Sequence, residues 1–540
     1  MRIAVEKRGV GELGQILGVW LGLVVLWFLA AAPNMSMPGL YYDEVHCAGM
    51  AKDFLSGQPH LHMVGCKIVN FWGRPFPLFV QPYGGAIKSW LMIPSFALFG
   101  ANQTVLRLTA LSWGLMALLV CMLWIWKWLG RTTALLTGIL LASDPTFFFI
   151  SVLDWGPVLP SFLCRFAFFY FALAWWRLAR ESVPEDGKSR RRIIWRAGLA
   201  GLFAGLGFFN KIDFIVLLGG VLVALACCEA RGIWANPVRC RPVTMVAAAV
   251  GFLIGACIIL PSLPGVLHGV PGATAQQRAV ELASRFRVFM AMCDGSYFYR
   301  LMDAGGVFAR MFRGNAPIMA SWGIYFIPAA AYLGLQTRFR GPAGKAAMFI
   351  ILSSAFIALG IFLLPCAREV QIHHMVMIYP FPHLAIAFAL ARLWRSGWKV
   401  GGFLFAAVIA CQTLDLARTQ QLIMRTGGRG WWSDAVTAFA SQIKDRTDLT
   451  LVSMDWGFNE QMAFLTDGPK LAEPFWSRQS RIPGPKDCVY LVHPPEYARL
   501  SFGRLFLEQA LHGAPTSFEV KAWRDHEGQV AFYSIRYLGP

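Results

Sequence analysis

Tyr41-Tyr42-Asp43-Glu44-Val45-His46 follows the first long apolar run of this chain, and its reading decides the rest. Two adjacent carboxylates stand beside two tyrosines where the chain has just left an apolar segment. Asp43 to Leu55 has the spacing of a short helix, with Val45, Ala48 and Met50-Ala51 apolar. Asp43 stands at the capping position and Gly57 is the stop. An isolated Asp-Glu pair of this kind is ordinarily a cap plus an exposed acid. Here, however, the loop 34–103 is too long and too aromatic for a connector. It returns through Gln81-Pro82-Tyr83-Gly84-Gly85 into Trp90–Leu98, an apolar stretch too short to cross a bilayer.

Composition sets the class. Of 540 residues, 56% are hydrophobic and 15% charged, with a mean hydropathy of +0.50. A soluble domain carries roughly 25% charged residues, so much of this chain's surface must lie in lipid. The net charge of +19 does not mark a nucleic-acid binder. The basic residues form neither one face nor one tail; they recur in short clusters between apolar runs. The 12 cysteines include no CxxC and no metal-ligand spacing. Most lie within apolar runs as small core residues. Cys47 and Cys66 share the first loop and are either a disulfide or two thiols; spacing alone does not decide.

The first apolar run, from Ile16 to Ala32, ends in Ala30-Ala31-Ala32 like a signal-peptide cleavage site. Its length favours an uncleaved span. Further runs near 104–128, 132–150, 157–178, 195–210, 211–229, 242–262, 315–336, 345–365, 373–394 and 398–417 bring the expectation to about eleven spans. Every second connection is basic: Lys127 and Arg131, the 177–196 cluster, Arg231 to Arg241, Arg338 to Lys345, and Arg392 to Lys399. Arg2, Lys7 and Arg8 lie on that same side, which makes the N-terminus cytoplasmic. Asp43, Asp154 and the tail are then external. In the external segment 263–314, Thr274–Met290 has the pattern of a helix lying on the membrane surface.

The composition changes in the tail 430–540. Helices are expected at Trp432–Lys444, Asn459–Leu465 and Glu496–Leu511. Strands are expected at Leu449–Trp456 and Cys488–His493, with a hairpin over 517–537 turning at Asp525-His526-Glu527-Gly528. The expectation is therefore a mainly α, polytopic transmembrane domain over 1–429 and a small extracytoplasmic α/β domain over 430–540. Asp455-Trp456-Gly457 and His493-Pro494-Pro495-Glu496 end two of those strands. Ligand crevices form at such ends, but turns need the same residue types.

In its order of motifs the sequence resembles the membrane glycosyltransferases of the GT-C fold, the branch of protein O-mannosyltransferases and the bacterial transferases that add aminoarabinose to lipid A. The resemblance rests on Asp43-Glu44 after the first span, Ala51-Lys52-Asp53-Phe54-Leu55-Ser56-Gly57, the Pro82-Tyr83 element and Phe99-Gly100. It continues through Leu106-Arg107-Leu108, Leu129-Gly130-Arg131, Asp144-Pro145, Asp154, Gly201–Lys211 and His373–Pro382. It covers 10–395, and the Tyr-Asp-Glu-Val-His string is nearest the mannosyltransferase form. Gln81-Pro82-Tyr83 stands where the family has His-Pro-Pro or Lys-Pro-Pro, and Ala86 where mannosyltransferases carry a lysine, with Lys88 two residues on.

The resemblance implies an enzyme that moves a sugar from a polyprenyl phosphate to a protein, lipid or glycan acceptor on the outer face of a bacterial inner membrane. A hydroxyl acceptor needs a carboxylate to take its proton, and inverting displacement needs one such base opposite the leaving group. Asp43 is the expected base. Glu44 is expected to orient the acceptor or, with Asp43, to help hold a divalent metal such as Mg or Mn. Tyr42, His46 and Tyr83 are expected to bind substrate. The leaving phosphate needs cations; candidates are Lys88, Arg368, His373 and His374, with Lys211 and Arg165 weaker. Each has a plain alternative: Lys88 snorkels, Arg368 is a solvated charge, and the histidines cap a span. Asp154 is a functional candidate or a helix cap, and Arg165 needs a structural partner such as a carboxylate. A polytopic transporter or lipid flippase is the alternative class. It would show inverted repeats and midplane charges, and none is visible.

Overall fold

In a bilayer a chain must satisfy its own backbone hydrogen bonds, and each of the apolar runs does so as helix. The structure, a computed structural model, describes residues 10–59, 66–180, 187–230, 242–263, 274–364, 370–474, 487–512 and 518–538. Among these, seven helices are long and apolar enough to cross a membrane: Gly11–Met35, Gln103–Leu129, Val158–Leu178, Arg190–Asn210, Gly341–Leu363, Ile372–Ser396 and Lys399–Thr426. The run near 132–150 is a broken pair, Arg131–Ser143 and Pro145–Leu153, bent by 65°. Pro145 stops the first helix, and the Asp144 carboxylate starts the second by accepting from the Phe147 N–H at 2.8 Å. The remaining runs form the shorter helices Phe214–Ala230, Pro242–Ala256 and Trp322–Thr337.

The first span is built into the bundle. Trp27 donates to the Ala142 carbonyl at 2.8 Å and Trp20 to the Leu115 carbonyl at 2.9 Å. Without a hydrophobic driving force between helices in lipid, small residues bring backbones together. Helices Gly187–Asn210 and Pro242–Ala256 do this through Gly201, Gly205, Gly251 and Gly255. A methyl group on Gly201 would stand 1.9 Å from the Ala248 carbonyl oxygen. The glycines of the Gly201–Lys211 string thus have a packing reason.

The first loop, 34–103, holds more structure than its sequence suggested. Helix Tyr42–Ser56 forms as expected and stops at Gly57, φ +77°. Its N-cap is Tyr41, not Asp43, which sits in the first turn. Strands β1 (Lys67–Phe71) and β2 (Arg74–Gln81) form a hairpin, joined by β3 (Gly84–Gly85). Trp72 and Gly73 both take positive φ in its two-residue turn. Cys47 and Cys66 are separate thiols, and Cys66 donates to the Val80 carbonyl at 3.1 Å. Helix Ala275–Cys293 leaves Val280, Phe286 and Met290 exposed.

The tail is a five-stranded sheet in the order β5-β4-β6-β8-β7. Here β4 is Thr450–Ser453, β5 Lys470–Ala472, β6 Cys488–Val492, β7 Phe518–Arg524 and β8 Val530–Tyr537. β4 pairs in parallel with both β5 and β6, whereas β7 and β8 form the expected hairpin. The chain thus turns one way from β4 to reach β5 and the other way to reach β6. The loops after β4 and β6 flank that switch point. Helices Ala435–Ile443, Phe458–Leu465 and Ser501–His512 pack on the sheet.

Candidate functional site

The two acids at the lip have opposite surroundings. Glu44 is fully buried and meets Arg107 bidentately, Oε1 to Nε at 2.6 Å and Oε2 to Nη2 at 3.0 Å. Its Oε2 also accepts from the Tyr41 N–H at 3.3 Å, closing the first turn. Arg107 goes on to the carbonyls of Asn34, Pro38 and Gly39. In this structure both Glu44 oxygens, expected to face the acceptor or a metal, are taken up by Arg107. With both oxygens engaged, the carboxylate anchors the helix to the end of the first span. The Asp43–Glu44 pair therefore does not offer two open carboxylates to a cation. Among the described residues no three His, Cys, Asp or Glu side chains converge as a metal site.

Asp43, one residue earlier, is half-buried, and among the described residues its carboxylate makes no hydrogen bond or ion pair. Burial raises its affinity for a proton, and His46, Lys88, Lys211 and Arg499 act against that rise. Lys88 lies beneath it, on helix Ile87–Phe99. Its ammonium group donates to the Asp43 carbonyl at 3.3 Å, the Glu44 carbonyl at 3.2 Å and the Asp154 carbonyl at 2.7 Å. It also pairs with the Asp154 carboxylate at 3.0 Å. Lys88 neither snorkels nor reaches outward; it fixes the start of the helix. Asp154 ends helix Pro145–Leu153 at φ +49° and is fully buried, so its charge serves Lys88.

Beside these lies a cluster from two other elements. Lys211, just past helix Gly187–Asn210, pairs with Asp213 at 3.1 Å, and Asp213 meets His374 Nδ1 at 2.7 Å. Burial would raise Asp213, but Lys211 and His374 hold it at about 2. His373 packs against His374, ring centres 4.2 Å apart and tilted by 43°, and accepts from the Trp155 indole at 3.2 Å. The Tyr83 carbonyl accepts from the Ile212 N–H at 3.2 Å, so the β2–β3 turn abuts the Lys211 stretch, with the Tyr83 ring exposed. Arg165 donates to the carbonyls of Val376 and Tyr379 at 2.8 and 2.7 Å. Its partner is thus a turn of backbone, not the carboxylate expected, and it is not aimed at a phosphate. Arg368 lies outside the described residues.

Two more expected ligands turn out to bind the tail. His46 approaches the Val80 carbonyl through Nε2 at 2.6 Å and Glu460 through Nδ1 at 3.5 Å. It is a bridge, not a substrate contact. Tyr42 is buried between the His46 ring, 5.4 Å away, and the Trp456 ring, 4.5 Å away. Tyr41 stacks on Trp432 at 4.5 Å and on Trp155 at 5.1 Å. Arg107, Asp213, Trp155, Glu460, Trp456 and Arg499 were not read from sequence as members of the site. Arg107 carried a usable signal, a charge entering a membrane span. Asp213 carried a weaker one, as an acid between two apolar runs.

Asp455 and His493 stand at the ends of β4 and β6. The Asp455 carboxylate accepts from the N–H groups of Trp456, Arg499 and Leu500, at 2.8, 3.1 and 3.1 Å. His493 is bonded to the Ala531 carbonyl at 3.0 Å and stacked on Phe458 at 4.3 Å. Both side chains are structural, but the loops they hold face the lip of the membrane domain. Two cavities among the described residues lie away from Asp43. One is an apolar groove of about 650 Å³ between Ile139 and the 405–417 helix face, and the other is a polar cleft of about 370 Å³ near Lys52.

A broken-span helical bundle, a first loop bearing a lip helix with an open carboxylate, and an α/β tail over that lip together define a GT-C membrane fold. The chain is a multi-pass membrane protein of that fold. Among solved structures it is similar to ArnT from Cupriavidus metallidurans in the apo state, at TM-score 0.57 and 15% identity, over 98% of this chain and 100% of that one. ArnT bound to undecaprenyl phosphate matches at TM-score 0.55 over the same shares. An Archaeoglobus fulgidus oligosaccharyltransferase tethered to an acceptor peptide with an NVT sequon matches at TM-score 0.50 and 12% identity, over 85% of this chain and 64% of that chain. No protein-family model and no curated protein matches the sequence.

Proposed function

We propose that this protein is an integral-membrane glycosyltransferase. It takes a sugar from a polyprenyl-phosphate donor and passes it to a protein, lipid or glycan acceptor at the outer face of a bacterial inner membrane. The observation that carries the reading is the Asp43 carboxylate: half-buried, raised in proton affinity by burial, and within electrostatic reach of Lys88 and Lys211, the latter paired with Asp213 next to His374. The likeness to ArnT with undecaprenyl phosphate supports a lipid-phosphate donor.

In this mechanism Asp43 takes the proton of the acceptor hydroxyl or amine as that atom attacks the anomeric carbon. The sugar–phosphate bond breaks on the opposite face, the configuration inverts, and the polyprenyl phosphate leaves with its electron pair. Lys211, His373 and His374 stabilise the charge that gathers on the phosphate oxygens. Asp43→Asn keeps the shape of the side chain and removes the base. The expected outcome is a loss of turnover of about 10²–10⁴-fold, with insertion and thermal unfolding unchanged. The assay is release of polyprenyl phosphate by purified protein given a panel of polyprenyl-phosphate sugars. Full turnover in the variant would refute Asp43 as the base.

A further inference from the structure

Helix Ile87–Phe99 lies along the lip. Its first turn carries Lys88, bound to Asp154 where helix Pro145–Leu153 ends. Its last residue, Phe99, comes just before Gln103, where a span begins. Both of its ends are therefore at the level where the chain leaves the bilayer. The β1–β2 hairpin is fastened to this helix. The Trp90 indole donates to the Pro77 carbonyl at 2.7 Å, and Phe76 stacks on Trp90 with ring centres 5.9 Å apart. Phe79, near the hairpin's base, packs with Phe208, Phe209, Ala256 and Ile259, at the ends of helices Gly187–Asn210 and Pro242–Ala256. Val246, Val250 and Ile254 form an exposed apolar stripe along the second of these helices. That lipid-facing stripe leads up to the hairpin.

The hairpin shows apolar side chains on both of its faces. Every residue of β1 is exposed, with Ile68 on one face and Val69 and Phe71 on the other. Trp72, at the tip, is 90% exposed. Its backbone stands at φ +52° beside Gly73 at φ +77°, a turn conformation that asparagine, aspartate and glycine take readily and a bulky residue does not. Turn chemistry therefore does not account for the tryptophan. A two-stranded hairpin is marginal in water, and one with a contiguous apolar surface needs another solvent. The bilayer core is not that solvent. β1 is the edge of the sheet β1-β2-β3, and its outward N–H and C=O groups need water. The headgroup layer meets both demands, and tryptophan, with an apolar body and one N–H, concentrates there.

We propose that the β1–β2 hairpin is a membrane-interface anchor, with Phe71 and Trp72 seated in the phospholipid headgroup layer at the lip and Ile68 and Val69 behind them. The occupant of this surface is lipid because the lipid-facing stripe of helix Pro242–Ala256 runs up to it. The anchor acts on the helix that bears Asp43: Arg74, next to the turn, donates to the Leu55 carbonyl of helix Tyr42–Ser56 at 2.7 Å. Seating the tip thus fixes the depth of that helix in the bilayer. The inference needs only a multi-pass membrane protein and stands or falls apart from the function proposed above.

The test places the full-length protein in phospholipid bilayers whose acyl chains carry bromine, a quencher of indole emission, at a shallow or a deep position. The difference between wild type and Trp72→Phe isolates one of 21 tryptophans. The expected result is loss of the Trp72 emission with the shallow label, a smaller loss with the deep label, and shielding from aqueous iodide. Hydrogen exchange across 67–81 is measured in the same bilayers for Trp72→Asp. Aspartate accepts positive φ more readily than tryptophan, so turn chemistry alone would slow exchange. Loss of the anchor speeds it instead, with the span Gln103–Leu129 as protected as in wild type. Trp72 emission quenched by iodide and not by lipid would put the ring in water and overturn the inference. Emission quenched by neither would mean that a protein surface, such as a second copy or an acceptor, covers the tip, which overturns it as well. Unchanged or slower exchange in Trp72→Asp would show that the ring anchors nothing. None of these three outcomes bears on sugar transfer, which is read separately by Asp43→Asn.

Discussion

Adjacent residues of identical chemistry have been given different tasks by their partners. Glu44 is neutralised by Arg107 in a dry pocket, and Asp43 is left open one helical step away. Breaking a buried pair from one side leaves an uncompensated charge and costs about 3–5 kcal/mol. Arg107→Met should therefore lower thermal stability by about that much in detergent, while Arg107→Met with Glu44→Leu recovers most of it. Equal stability in the single and double variants would show that the pair is not the anchor. In the proposed mechanism Asp43 acts only when ionised. Burial raises its pKa, so the acid limb of kcat/KM should lie above the ordinary aspartate range of about 3.9. A pH–rate profile reads this directly, and the limb should vanish with whatever residual activity Asp43→Asn retains.

Among the elements, the helix Tyr42–Ser56 is the part that everything else grips. Lys52 on its far end donates to the carbonyls of Ala463, Phe464 and Thr466, capping tail helix Phe458–Leu465 with its own charge. It also pairs with Asp467 at 2.8 Å. Lys52→Met should loosen this contact by about 2 kcal/mol, seen as faster hydrogen exchange across that tail helix. The second grip is His46 on Glu460. Burial lowers the His46 pKa, but Glu460 more than restores it, and it lies well above the free value. The charged form is the bound form, so the grip is complete below about pH 6.5 and fades as pH rises through the raised value. Thermal stability should fall on the alkaline side in wild type. The same fall in Glu460→Gln would mean another group is responsible.

On the scale of the molecule, the tail and the membrane bundle meet along backbone as well as side chains. Gly39 donates to the Trp432 carbonyl at 2.7 Å, and a methyl group there would stand 2.2 Å from the Ser433 carbonyl oxygen. Gly428 is tighter still, at φ +89° with the Trp432 oxygen 1.9 Å from a built methyl carbon. Gly39→Ala should lift the tail from the lip and reduce transfer without removing any acid or cation. Protease cleavage near 430, faster than in wild type, would accompany the loss; unchanged cleavage and activity would show that the seam tolerates the side chain.

Much of this was legible in the sequence because bilayers constrain sequence strongly. Apolar length marked the helices, and Gly57 and Asp525-His526-Glu527-Gly528 stopped or turned the chain where local chemistry required. The hairpin Lys67–Gln81 was missed because Trp72-Gly73 is an unusual pair for its turn, and β1 is exposed along its whole length with no buried face to set a period. The sequence alone determined the membrane class, the helical frame and the α/β tail, since these follow from composition and short-range pattern. Only the tertiary structure decided that Glu44 belongs to Arg107, that Lys88 belongs to Asp154, and that Trp456 comes to Tyr42. Those are contacts between residues far apart in the chain, where pairing depends on how helices and sheet close in space and not on any local repeat.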